Sequence, residues 1–101
     1  MSDQMFLKIH CSPGTGSVVS VCDGDLLNTT ITDGELEVRI TESFYGNSRA
    51  SEAQVREALT NAENANLMGE RAVGIAIELG LVSRENCIMI GTVPHAQIFR
   101  L

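Results

Sequence analysis

Ser51–Leu79, SEAQVREALTNAENANLMGERAVGIAIEL, is the stretch on which the fold turns, because both of its ends carry helix-boundary chemistry. Ser51 suits an N-cap, Gln54 stands at the third helical position to complete a capping box, and Glu52 favours the positive end of the helix dipole. Gly80 is placed to close the helical region in a left-handed conformation, with Leu81 supplying the accompanying apolar contact. Nearly thirty positions between such caps is long for a globular helix. On a continuous wheel, Leu59, Ala62, Val73, Ala76 and Ile77 fall within about 60° of Val55, but Asn66 and Gly69 fall on the same face. Either the chain breaks around Asn64–Gly69 into two packed helices, or Asn66 is a buried amide in need of a partner. The break is the favoured reading, since Asn64, Asn66 and Gly69 are all poor helix formers.

Upstream, Met5–His10 and Ser17–Cys22 alternate well enough for strands, and the turn-rich Ser12-Pro-Gly-Thr-Gly16 joins them as a hairpin. Asp23-Gly24 is a turn and Leu26-Leu27 an apolar anchor. Asp33-Gly34 leads into Glu35–Thr41, where Leu36, Val38 and Ile40 alternate with polar residues as in a half-buried strand. Downstream, Cys87–Ile90 reads as a central strand, Gly91–Pro94 as a turn, and Ala96–Leu101 as a terminal strand. The expectation is an α+β domain spanning residues 1–101, with an antiparallel or mixed β-sheet and one or two adjacent helices packed on one face.

The composition narrows the function. With 101 residues and 44% hydrophobic content, the chain suits one core. The net charge of −6 is spread over both halves, and one lysine with six scattered arginines forms no basic block, so high-affinity DNA binding is not expected. No apolar run approaches a membrane span. Three cysteines without CxxC spacing and no export leader favour the cytoplasm.

Three segments carry a resemblance: Ser43-Phe44-Tyr45-Gly46, Ala65-Asn66-Leu67-Met68-Gly69-Glu70-Arg71-Ala72, and Gly91-Thr92-Val93-Pro94-His95-Ala96-Gln97. In this order they resemble the motifs of a family of small archaeal proteins, domain of unknown function 424 (DUF424), across essentially the whole chain. The resemblance implies an archaeal cytoplasmic origin and a shared fold, and it transfers no catalytic or ligand residue. An extended N-terminus, Met1–Gln4, and the cysteines depart from the motifs.

The candidate pocket gathers Tyr45, Asn66, Glu70, Arg71, His95 and Gln97, polar groups set in small or apolar segments. A histidine beside a carboxylate can work as an acid/base pair near neutrality. The plainer reading has His95 and Gln97 satisfying the backbone or the Asn66 amide. His10, Cys11, Cys22, Cys87 and His95 lack the paired short spacing of a zinc site, so neither a metal nor another cofactor is expected. Asp23-Gly-Asp25 resembles the opening of a calcium loop but fails at Leu27, and Ser12–Ser17 lacks the Gly-Lys-Ser/Thr ending of a phosphate loop. The leading expectation is therefore a non-catalytic binding or adaptor module with a protein or ribonucleoprotein partner, in an RNA- or translation-related assembly. The alternatives are a small hydrolase-like enzyme, with a pocket where Asn66–Arg71 meets Val93–Gln97, and a structural homodimer.

Overall fold

The structure, a computed structural model, describes residues 4–12 and 16–99. Strands β1 (Met5–Ser12) and β2 (Gly16–Asp23) form the expected antiparallel hairpin, with His10 opposite Val18 and Met5 opposite Asp23. Its turn residues 13–15, Met1–Asp3 and the last two positions of the expected terminal strand lie outside the described residues.

The segment Ser51–Leu79 is two helices, and what separates them is a strand. Helix α2 spans Glu52–Asn61, β6 spans Asn64–Met68 and α3 spans Glu70–Glu78. Strand β6 runs parallel to β2 and antiparallel to β8 (Val93–Phe99), in the middle of the sheet. The expected break is present, and its linker is a strand, a change of period. Read every second residue, Ala65 and Leu67 enter one buried face while Asn64, Asn66 and Met68 take the other, so the asparagines that spoil a helical wheel fit a pleat. The ends of the helical region do follow from sequence. The Ser51/Gln54 capping box is present, and Leu81 N–H donates to Ala76 O while Gly80 N–H donates to Ile77 O in a Schellman closure.

The full sheet runs β5–β1–β2–β6–β8–β7, where β5 is Arg49–Ala50 and β7 is Ile88–Ile90. Cys87–Ile90 is thus an edge strand, not a central one, because β8 pairs with both β6 and β7 and takes the inner place. The short connection Gly91-Thr92 closes the β7–β8 hairpin, so β8 begins at Val93, ahead of the expected Ala96.

Both faces of the sheet are apolar in part, and each is covered differently. Val55 and Leu59 of α2 and Ala72, Val73, Ile75 and Ala76 of α3 pack on Val19, Val21, Ala65, Leu67, Ala96 and Ile98. A separate hairpin, β3 (Thr29–Asp33) with β4 (Leu36–Ile40), and the short helix α1 (Glu42–Tyr45) cover part of the opposite face around Cys22, Met68 and Ile90. Strand β3 and the second cluster were not foreseen from sequence. Among the described residues, no helix is long and apolar enough to cross a membrane.

Candidate functional site

Strand register places three cross-sheet rows on the hairpin-side face. Phe6, Cys22, Met68, His95 and Ile88 form one row, Lys8, Ser20, Asn66 and Gln97 the next, and His10, Val18, Asn64 and Phe99 the third. The first is overlain in its middle by the second apolar cluster. The third reaches solvent, with Phe99 71% exposed.

Asn66 is the meeting point of the polar row. Its Oδ1 accepts from the Tyr45 hydroxyl at 2.9 Å and from His95 Nε2 at 3.3 Å. An amide oxygen only accepts, so Nε2 carries the proton in this contact. Burial pushes the Tyr45 phenol upward and the His95 imidazole below its ordinary value, which keeps the network uncharged at neutral pH. Beneath it, burial and the neighbouring Asp23 carboxylate push the Cys22 thiol up to about 12. Ser20, opposite Asn66 and fully buried, has no partner for its hydroxyl within the described structure.

Of the six residues singled out from sequence, the fold thus brings Tyr45, Asn66 and His95 together, with Gln97 opposite Asn66 on the same face. Glu70 and Arg71 stand on the first turn of α3, which packs on the other face of the sheet. Cavities do lie where the Asn66–Arg71 segment meets Val93–Gln97. One, of about 220 Å³, is lined by Glu70, Val93 and Pro94 but not by His95 or Asn66.

Around Glu70 the chemistry is organised by Asp23, which in sequence reads only as part of a turn. Its carboxylate accepts from Arg71 N–H at 3.0 Å and Ala72 N–H at 2.8 Å, capping α3 from the end of β2. The residue at the N-cap, Gly69, has φ 111°, and a Cβ there would lie 2.4 Å from the Asp23 carboxyl carbon. The only sequence signal for this cap is negative: a helix starting after glycine has no side chain of its own to accept these bonds. Burial raises the Asp23 pKa, and the two backbone donors oppose that rise. Asp23, Asp25, Glu52, Glu70 and Glu78 line an acidic groove of about 670 Å³ with Gly74 in its wall. Arg56 bridges the two helices, pairing with Glu52 and Glu78.

By sequence, His10 stands only among the candidate metal ligands. It stacks on Phe44 at 5.1 Å between ring centroids, and its Nε2 lies 2.7 Å from the Phe44 carbonyl. Among the described residues, no three His, Cys, Asp or Glu side chains are grouped as a metal site would require.

A family model described as "Protein of unknown function (DUF424)" matches residues 10–101. The crystal structure of an uncharacterized conserved protein from Methanopyrus kandleri is similar to the chain, with 28% identity and a TM-score of 0.78, over 97% of this chain and 94% of that one. Among curated proteins, none matches.

Proposed function

The chain belongs to the DUF424 family of proteins of unknown function, and from that premise we propose that it is a non-catalytic binding module, an adaptor for a protein partner within a cytoplasmic archaeal assembly of the RNA- or translation-related kind. The uncharged Tyr45–Asn66–His95 network carries this reading. A histidine in general acid/base work needs a pKa near the operating pH and a proton donor or acceptor of the substrate within reach, and a carboxylate commonly holds its protonated form. Here the imidazole is matched to an amide, on the face of the sheet away from Glu70. The network instead fixes the inner part of a sheet face whose outer row ends in exposed Phe99, as suits recognition of another surface. With a net charge of −6, a protein surface is a better match for it than a phosphate backbone. The three free cysteines agree with a reducing compartment.

The test is cross-linking and affinity purification of the tagged chain from an archaeal host. A defined partner should co-enrich, whereas RNA alone should bind weakly in filter assays. Recovery of the bare monomer with nothing enriched, or tight RNA binding without protein, would overturn the proposal.

A further inference from the structure

Strand β7 ends the sheet, and among the described residues no strand pairs with its outer side. Ile90 and Val93 flank the two-residue Gly91-Thr92 loop and form the closing pair of the hairpin, so the ladder bonds to β8 fall at Ile90 and Ile88. Pro94, opposite Met89, turns its carbonyl toward β6, where it accepts from Gly69 N–H. By the same alternation, the N–H and C=O of Met89 face away from β8, on the side where no strand of the described residues pairs. Sheet edges are ordinarily blunted by charge, proline or a covering element. The β3–β4 hairpin touches the Gly91 end of this strand, where Asp33 accepts from Gly91 N–H, but Ile88–Ile90 carries no charge and no proline, and Ile88 and Met89 are 63% and 54% exposed.

A hollow lies beside this edge on each face. On the helix face, a cavity of about 400 Å³ is lined by Val73, Gly74, Ile77, Cys87, Met89 and Pro94, with Glu70 and Arg84. On the other, a smaller one of about 190 Å³ is lined by Ile88, Phe99, Asn86, Gln97 and His95. Gly74 adds a second sign of an occupant. It stands inside α3, where glycine costs about 1 kcal/mol relative to alanine, yet a Cβ there would meet nothing within 4 Å. No contact within the described structure requires a glycine at that point.

We propose that β7 is the docking edge for an extended segment of a basic partner protein, which adds a strand to the sheet by pairing with Met89 and seats one large apolar side chain in the hollow between α3 and β7. The residue opposite Met89 projects to the helix face, into the larger and more apolar hollow, and its neighbours project to the smaller one rimmed by amides. The basic character follows from the net charge of −6 of the whole chain, since in the larger hollow itself Glu70 is balanced by Arg84. A second copy of the chain fits less well. It brings another −6 to a surface that is already acidic overall.

This inference rests on the binding-module reading and is tested separately from it. A display library of random short peptides is panned on the full chain. Enriched peptides should carry one large apolar residue among Lys and Arg and should protect the Met89 amide from exchange. Met89→Pro removes only the outward N–H and leaves the bonds to β8, so it should weaken those peptides about tenfold or more while Met89→Val does not. Gly74→Leu, which improves helix propensity and adds a side chain at the wall of the larger hollow, should weaken them similarly, and it decides the matter if Met89→Pro fails to fold. Absence of enrichment, peptides that bind Met89→Pro and Gly74→Leu as tightly as the parent, or a dimer abolished by Met89→Pro would each overturn the edge as a partner site. A cellular partner that still co-purifies with both variants would sink the edge while sparing the module reading.

Discussion

Asn66 illustrates how one residue can be read rightly and placed wrongly. As a polar group in an apolar segment it was expected to need a partner, and it has two, the Tyr45 hydroxyl and His95 Nε2. Glu70 and Arg71 join it in the sequence reading as polar groups set in small or apolar segments; a strand ending at Met68 sends them to the opposite face of the sheet from Asn66. Replacing Asn66 with Leu strands two donors at once, so it should cost about 1–3 kcal/mol in denaturant unfolding, more than the roughly 0.5–1.5 kcal/mol of Tyr45→Phe. Ser20→Ala removes a hydroxyl that has no partner and should be close to neutral or stabilising. A large loss there would mean that Ser20 is satisfied after all. The network also fixes a pH response. Burial lowers the His95 pKa in the folded state, so the unfolded chain binds the extra proton more readily. The contribution of neutral His95 is complete above the unfolded value near 6.5 and is lost as pH falls from there through the folded pKa. An NMR titration of the ring should give a midpoint below 6.5 that moves upward in urea; a midpoint above 6.5 in the native protein would refute the uncharged network.

At the scale of elements, what was legible was local. The Ser51 capping box and the Gly80 closure involve residues within a few positions of each other, and both stand where the sequence put them. Strand β6 was not legible because its five residues, Asn-Ala-Asn-Leu-Met, include three good helix formers and are too few to show a period of two against a period of 3.6. Its state is decided by β2 and β8 on either side. The cap of α3 was hidden for a similar reason, since Asp23 lies 48 positions before the Arg71 N–H it accepts from. This cap joins β2, β6 and α3 at one point, and its removal should be felt by the helix. Asp23→Ala is expected to cost about 0.5–2 kcal/mol, with early loss of amide protection confined to the first turn of α3. Gly69→Ala should cost more, because it combines a left-handed φ of 111° with a Cβ driven into the Asp23 carboxyl. If both variants melt like the parent, the carboxylate is not the helix cap.

For the whole molecule, the consequence is a sheet held from two sides by unequal partners. The helical side is continuous with the main core, whereas β3 and β4 pair only with each other and reach the sheet through Ile31, Val38 and Ile40 with Leu26 and Leu27. The tip of the hairpin is tied by Asp33, whose carboxylate accepts from Gly91 N–H at 3.2 Å. Much of its surface is open, Leu36 being 52% exposed, and two-stranded ribbons are marginal by themselves. Residues 29–40 should therefore open at a lower free energy than the strands beneath, and in hydrogen exchange they should lose protection before residues 18–22 and 64–68 do. Cys22 supplies an independent clock for the same motion. It is fully buried in the second cluster, and burial pushes its thiol up to about 12, so a thiol reagent near neutral pH should reach it only as the cluster opens, whereas exposed Cys11 should react at once. Asp33→Ala should speed labelling of Cys22 without changing that of Cys11. Should Cys22 label only at the rate of global unfolding, with residues 29–40 as protected as β6, the hairpin would be an integral part of one cooperative unit, and the face it covers would be closed to any partner.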